Sequence, residues 1–140
     1  MNTMLILREA HSGWRMLVIL VVLLALIKFL VGWLGNQRWK KLDQIIGAAT
    51  PIVIDIQWLL GTILWIMQQR WTPGSTLISW EHPVTMTLAL IVGHVTWSRA
   101  KRSTSDVAKF RIAFVGFLIT VLLIAIGVSR ILGTSNIFAM

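Results

Sequence analysis

Long apolar runs, separated by short polar and basic links, organise the chain. They predict transmembrane helices at about 14–34, 45–67, 83–97 and 110–128. A helix needs roughly 20 residues to cross the hydrocarbon core, and about 17 are tolerated. The run at 83–97 is short and must borrow from its flanks. Each run is continuous and rich in Leu and Ile, and a helix satisfies its own backbone in lipid. The links are "GNQRWKKLD", "QQRWTPGSTLISWE", with Pro73-Gly74 as a turn, and "SRAKRSTSDVAK". Ser103 followed by Asp106 has capping-box spacing, with Asp replacing the usual Glu, and predicts the start of the fourth helix. Short links favour antiparallel neighbours. The predicted fold is therefore all-α, an integral-membrane up-down four-helix bundle forming a single domain over residues 1–140.

Composition supports the membrane reading. Hydrophobic residues make up 56% of the chain and charged residues 13%, and the mean hydropathy is +0.79. A soluble domain of this length could not bury so much apolar surface. The first run, Met16 to Leu34, is too long for a signal-peptide core and lacks a small-x-small cleavage site, so it is expected to be retained. The formal charge of +8 comes from basic residues in short links. There they set orientation and meet anionic lipid headgroups, so membrane lipids are expected partners and nucleic acid is not. The first and third links hold Arg38, Lys40, Lys41, Arg99, Lys101, Arg102, Lys109 and Arg111; the opposite side holds Arg8, Arg15, Arg70 and Arg130. This bias places those two links in the cytoplasm and both termini outside it. The expected location is the bacterial inner (cytoplasmic) membrane. Tryptophans near both boundaries read as an aromatic belt: Trp14, Trp71 and Trp80 outside, and Trp33, Trp39 and Trp97 inside. With no cysteine, the chain has no disulfide, thiolate metal site, iron–sulfur cluster or covalent haem attachment.

Ionisable groups within a span are costly unless paired or ligated, so each is a functional candidate. They are His11 at the mouth of the first span, Lys28 within it, Asp55 in the second, His82 at the mouth of the third and His94 within it. The first and third spans run in the same direction, so His11 and His82 fall at one outer level. His94 lies roughly 18 Å deeper than His82 at the helical rise per residue, at a depth similar to Asp55. Paired histidines on facing helices can ligate a b-type haem, and Gly13, Gly32, Gly61 and Gly93 would let a flat macrocycle approach. Each feature has a plainer explanation. A boundary histidine is often a solvated interfacial residue, His94 could make an interhelical hydrogen bond, and the glycines serve close packing equally well. Lys28 is expected to snorkel inward or to pair with Asp55.

The segments "HSGWRMLVILVVLLALIKFLVGWLG", "IDIQWLLGTILW" and "EHPVTMTLALIVGHVTWSRAKR", with the final apolar span, resemble a family of small four-helix bacterial membrane proteins labelled cytochrome b-like. The resemblance covers nearly the whole chain, and its most specific part is "EHP", then "GH", then "SRAKR". It implies two haems: an outer one on the positions of His11 and His82, and an inner one on His94 and a second-span histidine just before "IQ". Asp55 stands at that last position, and a carboxylate replaces imidazole poorly on a low-spin haem. The resemblance therefore implies at most one bis-histidine haem b, near the outer face. Asp55 is left to neutralise Lys28 or to bond His94, and needs some partner at that depth.

The leading expectation is a b-type cytochrome-like electron-transfer protein. His11 and His82 would be the axial ligands, Arg15 would meet a propionate, and a quinone or a larger membrane complex would be the redox partner. The rival expectation is a non-catalytic accessory subunit of a respiratory or photosynthetic complex, with or without a chlorophyll-type pigment on His94. A buried polar group facing away from the bundle's own core would favour this rival. A proton-coupled transporter using Asp55 and Lys28 is weaker, because no span pair shows a broken-helix pattern. With no nucleophile–base pair, phosphate-binding glycine loop or acid pair, no enzymatic activity of the chain alone is expected.

Overall fold

The structure is a computed structural model that describes residues 2–74 and 77–132. The C-terminal residues 133–140 lie outside it, and with them the expected orientation of that end. Among the described residues the chain is all-helical, without strands: α1 (Thr3–Leu34), α2 (Lys41–Met67), α3 (Leu77–Arg102) and α4 (Asp106–Leu132). The helices overrun the predicted spans because the polar flanks are capped rather than broken. Asn2 Oδ1 accepts from Met4 N at 3.1 Å to open α1. The Asp43 carboxylate accepts from Lys40 N at 2.8 Å to open α2. Ser105, not Ser103, opens α4, its Oγ accepting from Ala108 N at 3.1 Å; the cap sits on the residue just before the first helical turn.

Both outgoing turns of the first two helices are closed by a residue in the left-handed region, Asn36 (φ 49°) and Gln69 (φ 52°). Behind them Gln37 N donates to Gly32 O at 3.0 Å, and Arg70 N donates to Trp65 O at 3.2 Å. These bonds satisfy carbonyls that a helix end would otherwise leave bare.

Helices α1, α2 and α4 are each long and apolar enough to cross a membrane. The polar residues of α3, among them Glu81, His82, Thr85, Thr87, His94 and Thr96, dilute its apolar character. The predicted run at 83–97 lies wholly inside it.

The helices pack in a ring, α1 on α2, α2 on α3, α3 on α4 and α4 on α1, so α1 and α3 stand diagonally across the bundle. Contact partners run in opposite order along α1 and α2, and along α2 and α3. Trp14 meets Val53 while Lys28 meets Asp43; Trp65 meets Ser79 while His94 meets Asp55.

The buried face of α1 is Val18, Val22, Ala25, Leu26 and Phe29, spaced as one stripe of a helix. Towards the first and third links the core becomes aromatic. Phe29, Phe110 and Phe117 are fully buried, with ring centroids 6.3 and 6.1 Å from Phe29 to the other two. Trp39, in the first link, folds back to stack on Phe29 at 5.5 Å. Gly47 lets Trp97 approach α2, since a Cβ there would collide with the indole.

The indoles also act as cross-links between helices. Trp14 Nε1 donates to Val53 O at 2.9 Å, and Trp58 Nε1 donates to Thr87 Oγ1 at 2.9 Å. Pro83 lies inside α3. It has no N–H, so the carbonyl four residues earlier, that of Ser79, loses its helical donor. Trp65 Nε1 supplies the missing bond at 2.7 Å.

Candidate functional site

The structure brings two of the predicted histidines to one end of the bundle. His11 on α1 and His82 on α3 are partly buried and close enough to act on each other electrostatically. Their environments differ. His82 Nδ1 lies 3.0 Å from the Gly127 carbonyl of α4. A carbonyl only accepts, so Nδ1 carries the proton and Nε2 keeps its lone pair. A metal-ligating histidine is commonly held this way, by a backbone carbonyl on its far nitrogen.

His11 is held by α2. Gln57 Nε2 donates to the His11 carbonyl at 3.0 Å and lies 3.3 Å from His11 Nε2. An amide N–H donates, so His11 Nε2 accepts and Nδ1 carries the proton. The ring lies against Gly61, where a Cβ would stand 2.8 Å from His11 Cε1. His11 Nδ1 and Gln57 Oε1 are buried with no hydrogen-bond partner among the described residues. Such orphaned atoms are uncommon in a finished interior.

Positive charge gathers around the two rings. Arg15 is within electrostatic reach of both, and Arg70 of His82. Imidazoles and guanidiniums are the side-chain types that meet an iron porphyrin and its propionates. His82 keeps the Nε2 lone pair that an axial role requires. The His11 Nε2 lone pair is engaged by Gln57, and only a ring that left Gln57 would free it. Neither of two clefts, of about 320 Å³ beside Lys28 and Lys40 and about 220 Å³ beside Asn2 and Arg8, is lined by His11 or His82. No group of three or more His, Asp and Glu that could hold a metal ion occurs among the described residues; a bis-imidazole haem requires only two.

The other predicted residues are placed apart from this end. Lys28 does not pair with Asp55. Its Nζ lies 2.8 Å from Asp43 Oδ1 instead, and the Asp43 side chain is only 1% exposed. Asp43 carried no flag in the sequence because it looked like a link residue. Asp55 bonds His94, with Nε2 2.7 Å from Oδ1. The pair sits on the outer surface of the bundle, with side chains 49% (His94) and 41% (Asp55) exposed. His94 is thus not a buried histidine. Asp55 occupies the nitrogen that usually binds a haem or chlorophyll metal.

The missed residue at the histidine end is Gln57. It stands two positions after Asp55, about 200° around a helix, so Asp55 faces out and Gln57 faces in. At the mouth of α3, Glu81 forms a two-pronged pair with Arg130, at 2.9 and 3.0 Å. This pair ties α3 to α4, and the guanidinium holds the Glu81 carboxyl below its ordinary range.

No family model matches the chain, and no curated protein or solved structure matches it either.

Proposed function

We propose that the chain is a multi-pass protein of the bacterial inner membrane, an up-down bundle of the cytochrome b-like kind that holds one redox cofactor at its His11–His82 end. The cofactor of best chemical fit is haem b, with both imidazoles as axial ligands and Arg15 at a propionate. Bound there, haem would supply one-electron transfer to a quinone or a neighbouring membrane complex. The observation that carries the proposal is the state of the two rings. They stand on diagonal helices at one end; one is tethered through Nδ1 so that Nε2 is left to coordinate, and the other is held at Nε2 only by a 3.3 Å contact with Gln57, its protonated Nδ1 having no partner among the described residues. Three helices apolar enough for a bilayer support the membrane setting.

A reduced-minus-oxidised optical spectrum of the detergent-purified chain tests this, with pyridine haemochrome quantification and a His82→Ala control. Sharp b-type bands at one haem per chain, lost in the variant, are the expected result. A flat spectrum from protein made under haem-replete conditions sinks the proposal.

A second reading, a non-catalytic subunit of a larger membrane assembly, is favoured by one observation. The Asp55–His94 pair faces away from the bundle's own core, where it needs another surface.

A further inference from the structure

The Asp55–His94 pair lies near the middle of the bundle's length. Asp55 is about 21 Å from the start of α2 and about 18 Å from its end, at the helical rise per residue. In a bilayer that is the hydrocarbon region, where an ionisable side chain is expensive and almost always faces protein or water rather than lipid. Yet roughly half of each side chain is uncovered. The internal bond uses only one polar atom of each partner, His94 Nε2 and Asp55 Oδ1. No hydrogen bond within the described chain engages His94 Nδ1 or Asp55 Oδ2. The neighbouring outward residues are apolar: Ile52 and Leu59 on α2, and Ile91 and Val95 on α3.

We propose that this face is a two-fold interface with a second copy of the chain. The inference rests on the membrane reading but not on haem. Charge complementarity under symmetry selects this occupant. Two copies inserted in the same orientation are related by a two-fold axis along the membrane normal, and a residue at one depth keeps that depth in its copy. Asp55 and His94 are side by side at one depth, on adjacent helices. Rotation about an axis between them sets each Asp55 opposite the other copy's His94. With both imidazoles protonated, each Nδ1–H donates to the opposing Oδ2 while each Nε2–H keeps its own Oδ1. The result is a closed, neutral ring of two carboxylates and two imidazoliums. No new residue type is needed, and the outward isoleucines and valine form the seal around it.

The test uses the full chain in lipid vesicles at high lipid dilution. The native chain lacks cysteine, so single cysteines report cleanly. Ile91→Cys is expected to form a disulfide-linked dimer on oxidation, and Leu24→Cys, on exposed α1, is not. The decisive comparison is between Asp55→His and His94→Asp. Alone, each presents like groups to its copy, and its dimer fraction should fall at least tenfold. Mixed, one offers imidazoles and the other carboxylates, and heterodimers should form to near the native level. Recovery in the mixture also shows that both variants fold; circular dichroism checks helicity in each.

A native chain that stays monomeric in lipid overturns the proposal and leaves the pair to a different membrane subunit. So does a dimer that both single variants retain, or a mixture of helical variants that does not associate. Carbonate extraction of membranes separates these outcomes from failure of the membrane reading, in which the native chain would leave the bilayer. The optical spectrum remains an independent readout of the haem reading.

Discussion

At one end of the bundle Phe29, Trp39, Phe110 and Phe117 close over one another. At the other, His11, Gln57 and His82 reach inward with polar atoms that are only partly satisfied. Both ends contain groups that are costly to bury, but they are handled differently. At the aromatic end Asp43 meets the Lys28 ammonium at 2.8 Å and the Lys40 N–H at 2.8 Å, and Lys28 also lies 5.6 Å from the Phe110 ring centre. That charge is compensated within the chain. At the histidine end, buried nitrogen and oxygen atoms wait for a partner. The first arrangement suits a region whose task is to hold four helices together. The second leaves polar atoms unpaired among the described residues, and the proposed cofactor site is built on that.

Substitutions can break this contrast, and the largest effect should come from Phe29→Ala. The ring is fully buried, and such truncations cost about 3–5 kcal/mol because the cavity collapses only in part. Thermal melts in detergent should show the midpoint falling steeply. Removing the Lys28 charge should come next. Lys28→Met leaves Asp43 buried without its cation, at a cost of about 3 kcal/mol. The double variant Lys28→Met/Asp43→Leu should recover much of that loss. A double that is no better than the single would show that the pair is not what stabilises this end. Gly47→Ala should cost about 1–3 kcal/mol, since the added methyl falls on the Trp97 ring and forces repacking. Chemical denaturation followed by tryptophan fluorescence would report it directly.

The histidine end should respond in the opposite sense. Gln57→Leu removes a weak set of hydrogen bonds and should cost about 1 kcal/mol or less. On the proposed haem reading it should nevertheless raise haem retention, because it frees His11 Nε2. A large stability loss with unchanged haem retention would erase the difference between the two ends.

The smallest effect should come from acid at Glu81. Its folded carboxyl titrates below the ordinary value of 4.5, chiefly through the hydrogen bond to Arg130. Its contribution is therefore present above that ordinary value and is lost as pH falls through the depressed one. Both partners are exposed at the surface, so screening keeps the effect slight. Melts of native and Glu81→Gln chains should coincide under acid and separate narrowly near neutral pH.

The helices were legible because unbroken apolar runs in a membrane-like composition admit few other elements. Their true ends were less so. Caps such as Ser105 and Asp43 are local hydrogen bonds, and several residues in each link could have made them. The outer histidine pair was readable from depth alone, since His11 and His82 share a level whatever their rotation. Rotation about the helix axis was harder to read. Lys28 chose Asp43 over Asp55, His94 turned outward, and Gln57 rather than Asp55 turned inward. A chain that is apolar on every face carries little amphipathic signal, so the side a polar residue takes is settled by tertiary packing.

The tryptophans carry one more consequence. A boundary indole ordinarily fixes a helix at a set height by bonding to headgroups. Here Trp14 and Trp65 spend their N–H groups on backbone carbonyls, Trp58 spends its own on Thr87, and Trp97 is buried. Trp71 and Trp80 remain outward, both at the same end. At the other end Trp39 bonds Gln44 and Trp33 is half-buried against Phe114, so fully outward indoles gather at the histidine end and outward Lys and Arg at the basic one. Ammonium and guanidinium groups on long stems tolerate a change of depth. In the proposed membrane setting, a change of bilayer thickness should leave the histidine end at its level, while the basic end rides up or down.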